Sequence, residues 1–311
     1  YKTEMDCDVE VGKSVSSIIA SKEYNNNPCR ILCEFHNEKT GRSHLFFSID
    51  IWGKKIGKLG DEFIPEFIGS DELKSELNIL KPDVFIVVAY KILPDSIIAI
   101  PKYGALNLHA SLLPKYRGAG PIQWALMNGD KKSGVTIFQI KPKVDTGDIL
   151  MQKEVDIFNE DNMLSLGNRL CEHGANMMIE VLNTIEEEGQ VSGIRQNPKL
   201  ATPAPKIRKN MTRINWSWTS QKIHNWVRGL SPFPGMSTNY KGKRLRVFKT
   251  SIQSGIKLSP GTIIEAEGDR LIIATAEGGL RIHELQLEGK KRMKVDDFLR
   301  GNKIQPGDFL E

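Results

Sequence analysis

No apolar run in the 311 residues approaches the length of a membrane-crossing helix, so a membrane partner is not expected. Cysteine is scarce. Cys7, Cys29, Cys33 and Cys171 fit no ordinary zinc spacing, and the Cys29-x3-Cys33 pair has no second pair to complete it. The expectation is reduced structural thiols and no metal. The opening YKTEMDCDVE lacks both the apolar core of a signal peptide and an Arg-rich transit pattern, which points to the cytoplasm. It begins with Tyr1, so an initiator residue or an upstream segment is expected before it.

What is present is an ordinary globular profile, 40% hydrophobic and 26% charged, long enough for two domains. The net charge of +5 conceals an asymmetry. Residues 206–311 hold 20 Lys+Arg against 10 Asp+Glu, a balance of +10, which leaves 23 against 28, or −5, for residues 1–205. An acidic first part joined to a basic second part suggests that the second part meets a polyanion, although a solvated basic face has the same composition.

Residues 1–69 are the least readable. A short helix over 14–20 and strands over 30–35 and 45–51 are expected, between turn signals at Asn25-Asn26-Asn27-Pro28 and Lys39-Thr40-Gly41. From residue 70 the pattern sharpens. Leu73, Leu77 and Leu80 mark one helical face, with Ser70 or Asp71 as cap. Residues 84–89 read as a buried strand and 95–99 as a helix with Pro94 at its first turn. Strands follow over 135–140 and 149–155. A long helix over 162–188 comes next, broken or bent near His173-Gly174, with Leu164, Leu170, Met177, Ile179 and Val181 as its apolar residues. His173, His224 and His283 read as structural, and Glu186–Glu188 as a solvated helix end.

A proline-containing connector with a basic stretch, 197–213, separates a first domain (1–196) from a second (214–311). The second opens with a short helix over 220–229. Strand-like runs follow at 236–240, 243–250, 261–266, 271–274 and 280–286, consistent with a small barrel of the oligonucleotide-binding type.

The candidate site lies in Leu106-Asn107-Leu108-His109-Ala110-Ser111-Leu112-Leu113-Pro114, closed by Asp145-Thr146-Gly147-Asp148. On a strand, Asn107 and His109 share one face. Polar groups at a strand's carboxyl end sit where open α/β sheets bind ligands. An Asn and a His can both donate to a carbonyl oxygen, and an Asp can hold the His oriented and charged, which suits acyl transfer. A capped turn with a satisfied His fits the spacing equally well.

The longer pattern resembles the 10-formyltetrahydrofolate-dependent formyltransferases: Asn107 through Pro114, then Tyr116-Arg117-Gly118, then Asp145-Thr146-Gly147-Asp148. The resemblance implies a Rossmann-like α/β domain with Asn107, His109 and Asp145 as its catalytic constellation. Backbone groups of Ser111, Leu112, Leu113 and Pro114 would line the folate site. It also implies that the segment Val88-Ala89-Tyr90 to Ile92-Leu93-Pro94 helps enclose the pterin ring. The second domain narrows the likeness. Ile214-Asn215-Trp216, the run Arg228–Gly235 and the stretch Glu284–Met293 are similar to the carboxyl-terminal domain of methionyl-tRNA formyltransferases. Initiator methionyl-tRNA is then the expected partner and 10-formyltetrahydrofolate the formyl donor, handled by a monomer. Candidate tRNA contacts are Lys206, Arg208, Lys209, Lys290, Lys291 and Arg292; Arg117 could touch the aminoacyl end or simply hold its loop. Amino-sugar nucleotide formyltransferases remain the alternative. A non-catalytic RNA-binding module and a formyltetrahydrofolate hydrolase are the readings from other classes. The family's Gly-Thr-Pro turn after a first strand is missing from roughly the first sixty residues.

Overall fold

A computed structural model describes strand backbones within residues 21–47, then residues 71–87 and 93–311. The expected helix over 14–20, the cap at Ser70 and most of the pterin-side segment (88–92) lie outside the described residues. The first strands are β1 (Ser21–Tyr24), β2 (Asn27–Arg30), β3 (Cys33–Asn37) and β4 (Arg42–Phe47). Then come α1 (Asp71–Leu80), β5 (Phe85–Val87), α2 (Asp95–Ile98), β6 (Ala105–His109) and α3 (Pro121–Asn128). The strands β7 (Lys132–Gln139) and β8 (Ile149–Asp156) precede the long α4 (Met163–Glu188).

The strands β3 to β8 form one six-stranded sheet in sequence order. The β3/β4 pair is antiparallel, while β4/β5 and β5/β6 are parallel. All three residues of β5 are buried, as a strand covered on both faces requires. Pro94 is the cap of α2 rather than part of its first turn.

The carboxyl-terminal part holds α5 (Ser220–Gly229), β9 (Met236–Tyr240), β10 (Lys243–Gln253), β11 (Ile263–Glu267), β12 (Arg270–Ala274), β13 (Gly279–Leu287), β14 (Met293–Lys294) and α6 (Val295–Gly301). Its sheet is antiparallel in the order β11-β12-β13-β10-β9, with β14 added to β13. Strands β9 to β13 fall within a few residues of the runs expected from the sequence, because turn residues bracket each of them; the two-residue β14 was not expected.

Helix α4 departs from expectation. It runs as one continuous helix through His173-Gly174. Its buried stripe is Leu166, Leu170, Met177, Met178, Val181 and Ile185, whereas Leu164 and Ile179 are exposed. Continuous burial along that stripe outweighs the roughly 1 kcal/mol that a helical glycine costs.

Packing divides the chain into two units, residues 1–109 with 137–151 and 177–196, and residues 110–136 with 152–176 and 197–311. In the first, Leu77, Phe85, Val87, Ile97 and Ala105 form a buried cluster. In the second, Met127, Ile223, Val227, Leu245, Ile282 and Phe298 belong to one core. There α3 meets α5 closely: a Cβ at Gly229 would lie 2.7 Å from Met127 Cγ and 2.9 Å from the Gln123 carbonyl oxygen. Arg228, from the last turn of α5, donates to the carbonyls of Phe158 and Asp161 at 3.2 and 3.1 Å, fastening that helix to the loop before α4.

His224 lies on α5 with Nδ1 2.9 Å from Thr250 Oγ1. Burial, with the charge of Arg228, pushes its pKa down to about 4. His283 is lowered as well, chiefly by burial. The His224 ring is therefore neutral in the folded chain where the unfolded one binds a proton. Its contribution is whole above the unfolded pKa near 6.5 and drains away as the pH falls toward 4, up to about 3 kcal/mol. Urea midpoints at pH 7.0, 5.5 and 4.5 should fall steeply with acid, and the fall should be shallower in His224→Gln. Parallel curves for the two proteins would contradict this.

Candidate active site

Strand β6 carries Asn107 and His109 on one face. His109, at its last position, is 7% exposed. Its ring meets Phe138 edge to face, with centroids 6.4 Å apart. Asn107 is half-buried, and its carboxamide has no hydrogen-bond partner among the described residues. A donor without a partner among the described residues, beside a buried His, is suited to a substrate carbonyl.

Asp145 comes to the same place from the loop after β7. Its Oδ2 stands 3.8 Å from His109 Nδ1, and its side chain is 14% exposed. That distance is an ion-pair separation, longer than a hydrogen bond. The backbone at Asp145 is left-handed (φ 52°), a conformation Asp tolerates better than most residues. Two devices hold it there. A Cβ on Gly147 would sit 1.5 Å from the Gln139 carbonyl oxygen, so no side chain fits at that position. Buried Gln196 then donates through Nε2 to the carbonyls of both Asp145 (3.0 Å) and Gly147 (2.8 Å). Lys141 pairs with Asp148 at 2.7 Å, tying the loop's two ends. Gln196 carries no motif signal, being fifty residues away in a segment that reads as connector.

In the other unit, the loop Ser111–Pro114 is pinned by one hydroxyl. Thr136 Oγ1 donates to the Ser111 carbonyl at 2.6 Å and accepts from the Leu113 amide at 3.1 Å. Gln152 Nε2 donates to Thr136 Oγ1 at 2.8 Å and to the Leu113 carbonyl at 3.0 Å. The hydroxyl thus gives its one proton and accepts twice, its full capacity. Ser111 and Leu113 are buried, while Leu112 and Pro114 are partly exposed. Thr136 stands out in the sequence only as a polar residue inside an apolar strand.

Tyr116 follows that loop with φ 60°. Its hydroxyl donates to Asp130 at 2.7 Å and accepts from Asn128 at 2.9 Å, and burial pushes its pKa up to about 12. The phenol is structural at any physiological pH. Arg117 is joined to the chain at residues 202–204 through its amide and carbonyl, 2.9 Å to Thr202 and 2.6 Å from Ala204.

The six basic candidates divide into two sets. Lys206, Arg208 and Lys209 are exposed and form no ion pair among the described residues, as do Lys290 and Lys291. Arg292 is committed elsewhere: its guanidinium pairs with Glu284 and lies 4.4 Å over the Phe248 ring. Among the described residues no group of His, Cys, Asp and Glu could hold a metal ion, and no helix is long and apolar enough to cross a membrane.

The profile described as "Formyl transferase" matches residues 36–182, and that described as "Formyl transferase, C-terminal domain" matches 206–303. Among similar proteins, the methionyl-tRNA formyltransferase of Desulforamulus reducens is 41% identical over 249 residues, covering 79% of this chain and 78% of the relative. That of Thermodesulfovibrio yellowstonii is 45% identical over 244 residues, 78% of each chain. Among solved structures, HypX from Aquifex aeolicus in complex with tetrahydrofolic acid is similar with a TM-score of 0.59 at 21% identity, over 77% of this chain and 44% of that one. An N-formyltransferase from Helicobacter canadensis, in complex with folinic acid and dTDP-3-aminofucose, gives 0.51 at 20% identity, over 70% and 77%. These two likenesses are of fold.

Replacing Gln196 by Leu leaves two carbonyls of the Asp145 loop without their donor. Melting should report a loss of about 1–3 kcal/mol, with faster amide exchange over residues 145–148. Unchanged exchange there would show that the loop holds itself.

Proposed function

Because this chain belongs to the methionyl-tRNA formyltransferase family, we propose that it moves the formyl group of 10-formyltetrahydrofolate to the α-amine of methionine esterified to initiator tRNA. The observation that carries the reading is a buried His109 with Asp145 Oδ2 3.8 Å from its Nδ1, on the strand that also presents the Asn107 carboxamide, which has no partner among the described residues. The neutral amine attacks the formyl carbon. Asn107 and His109 donate to the oxygen as it becomes an oxyanion. Asp145 orients the imidazole and balances its positive charge. As the bond from carbon to the folate N10 breaks, the amine's proton passes toward N10, with Asp145 assisting through water. Neither a covalent enzyme intermediate nor a metal takes part in this scheme.

The same reading gives the backbone of Ser111, Leu112, Leu113 and Pro114 to the folate, held in shape by Thr136 and Gln152. It gives Lys206, Arg208, Lys209, Lys290 and Lys291 to tRNA phosphates. Arg292 contributes less, since Glu284 already neutralises it. Residues 1–196 act as the formyl-transfer domain, 214–311 as the basic domain and 197–213 as the connector, in a cytoplasmic monomer.

His109→Ala should lower turnover about a hundredfold or more, as removal of an oxyanion donor does, with little change in binding of either substrate. The assay is formyl transfer to charged initiator tRNA, with an amino-sugar nucleotide as parallel acceptor. A wild-type rate in the variant would remove His109 from the chemistry. Product on the sugar alone would replace the acceptor.

Reversing Lys290 and Lys291 to Glu should weaken tRNA binding. It should also flatten the dependence of log affinity on log salt by roughly one unit for each phosphate no longer neutralised. Titrations in about 50 and 200 mM salt that superimpose with wild type would take the phosphate role from this turn.

A further inference from the structure

Four tryptophans lie among the described residues, and they are used in two different ways. Trp216 is a core residue, 5% exposed, whose Nε1 donates to Thr238 Oγ1 at 3.0 Å. Trp124, Trp226 and Trp218 are only partly buried and touch in series. The first two meet edge to face with centroids 6.2 Å apart, and Trp226 and Trp218 lie 4.9 Å apart with planes tilted by 58°. They pack against the core of the carboxyl-terminal unit and remain partly exposed.

Their polar edges are only partly used within the protein. Trp124 Nε1 donates to the Pro205 carbonyl at 2.8 Å, which anchors the chain just before Lys206, Arg208 and Lys209. The indole N–H groups of Trp218 and Trp226 have no acceptor among the described residues, and neither is a buried orphan. They are donors facing water. Lys222 lies with Nζ 4.1 Å over the Trp218 ring and has no carboxylate partner among the described residues. The row of rings and two spare donors thus carries one cation on it, Lys222, and holds at its Trp124 end the chain that leads directly into Lys206, Arg208 and Lys209.

We propose that this surface is a stacking platform for an unpaired base of the RNA substrate, a reading that rests on the RNA acceptor proposed above. The cations call for an anion, and the rings say which one. An acidic protein would satisfy the lysines without needing flat aromatic faces. A duplex hides its bases within its own stack, so only an unpaired nucleotide can lay a base on a ring while its phosphate meets Lys222 or Lys206. The spare indole N–H groups suit phosphate or sugar oxygens beside that base.

The test compares two RNA hairpins of identical stem, one blunt and one with a single-stranded 3′ tail, titrated against the full chain and its Trp218→Leu and Lys222→Gln variants. Wild type should prefer the tailed hairpin. Trp218→Leu should lose about five- to a hundredfold in affinity for the tailed RNA, with its salt slope unchanged and its affinity for the blunt RNA intact. Lys222→Gln, a surface change that leaves folding alone, should lower the salt slope on the tailed RNA by nearly one unit. Equal affinity of Trp218→Leu and wild type for the tailed hairpin would overturn the platform. So would an equal loss on both hairpins, which would mark Trp218 as merely structural. A wild-type chain that formylates methionyl-tRNA while the variants keep its RNA preferences would overturn the platform alone. A wild-type chain that binds neither hairpin would overturn the RNA reading with it.

Discussion

The Asp145 loop depends on a place where no side chain fits. The carbonyl of Gln139 occupies the position a Cβ on Gly147 would need, so the chain can turn tightly there and bring Asp145 to His109. Gln196 then converts a permitted turn into a held one, by taking the two carbonyls that the turn leaves pointing inward. A carboxylate 3.8 Å from an imidazole exerts its effect only if neither swings away. The left-handed backbone at Asp145 is kept by its neighbours, not by its own preference.

The second unit solves a similar problem with a hydroxyl. Irregular backbone such as Ser111–Pro114 needs partners for its amides and carbonyls when it is buried. Thr136 provides two of them and Gln152 braces the arrangement. Each of these two loops is thus held in part by neutral polar side chains, Gln196 in one and Thr136 with Gln152 in the other. The ion pair of Lys141 with Asp148 adds a charged tie at the ends of the Asp145 loop.

The basic surplus of the second part is smaller in effect than its count. Arg228 is spent on backbone carbonyls, and Arg281 and Arg292 on carboxylates. Among the described residues, cations without an ion pair remain in the connector (Lys206, Arg208, Lys209), on α5 (Lys222), along β10 (Lys243, Arg244, Arg246, Lys249) and in the turn after β13 (Lys290, Lys291). Charge counted along the sequence cannot separate these two populations, because only folding decides which guanidinium finds a carboxylate.

Much was legible in the chain alone. Strand-like runs between turn residues located five strands of the carboxyl-terminal sheet to within about three residues and missed β14. The Asn107 and His109 spacing placed both on one face, since period two is a property of any strand. The family resemblance named Asp145. Less legible was α4, where the apolar Leu164 and Ile179 are exposed while Leu170, Met177 and Val181 are buried, because a helix's buried stripe is set by what packs against it. Thr136, Gln152 and Gln196 were not legible at all. Their roles come from contacts between residues 16 to 51 positions apart, and no local pattern encodes such a meeting. By itself the sequence determined the five longer strands of the carboxyl-terminal sheet, the α5 helix and, through its motifs, the family, because these follow from periodicity, turn residues and the identity of the motif residues. Only the tertiary structure decided which loops are rigid, which cations stay free and which tryptophans face solvent, because each of these depends on neighbours distant in the chain.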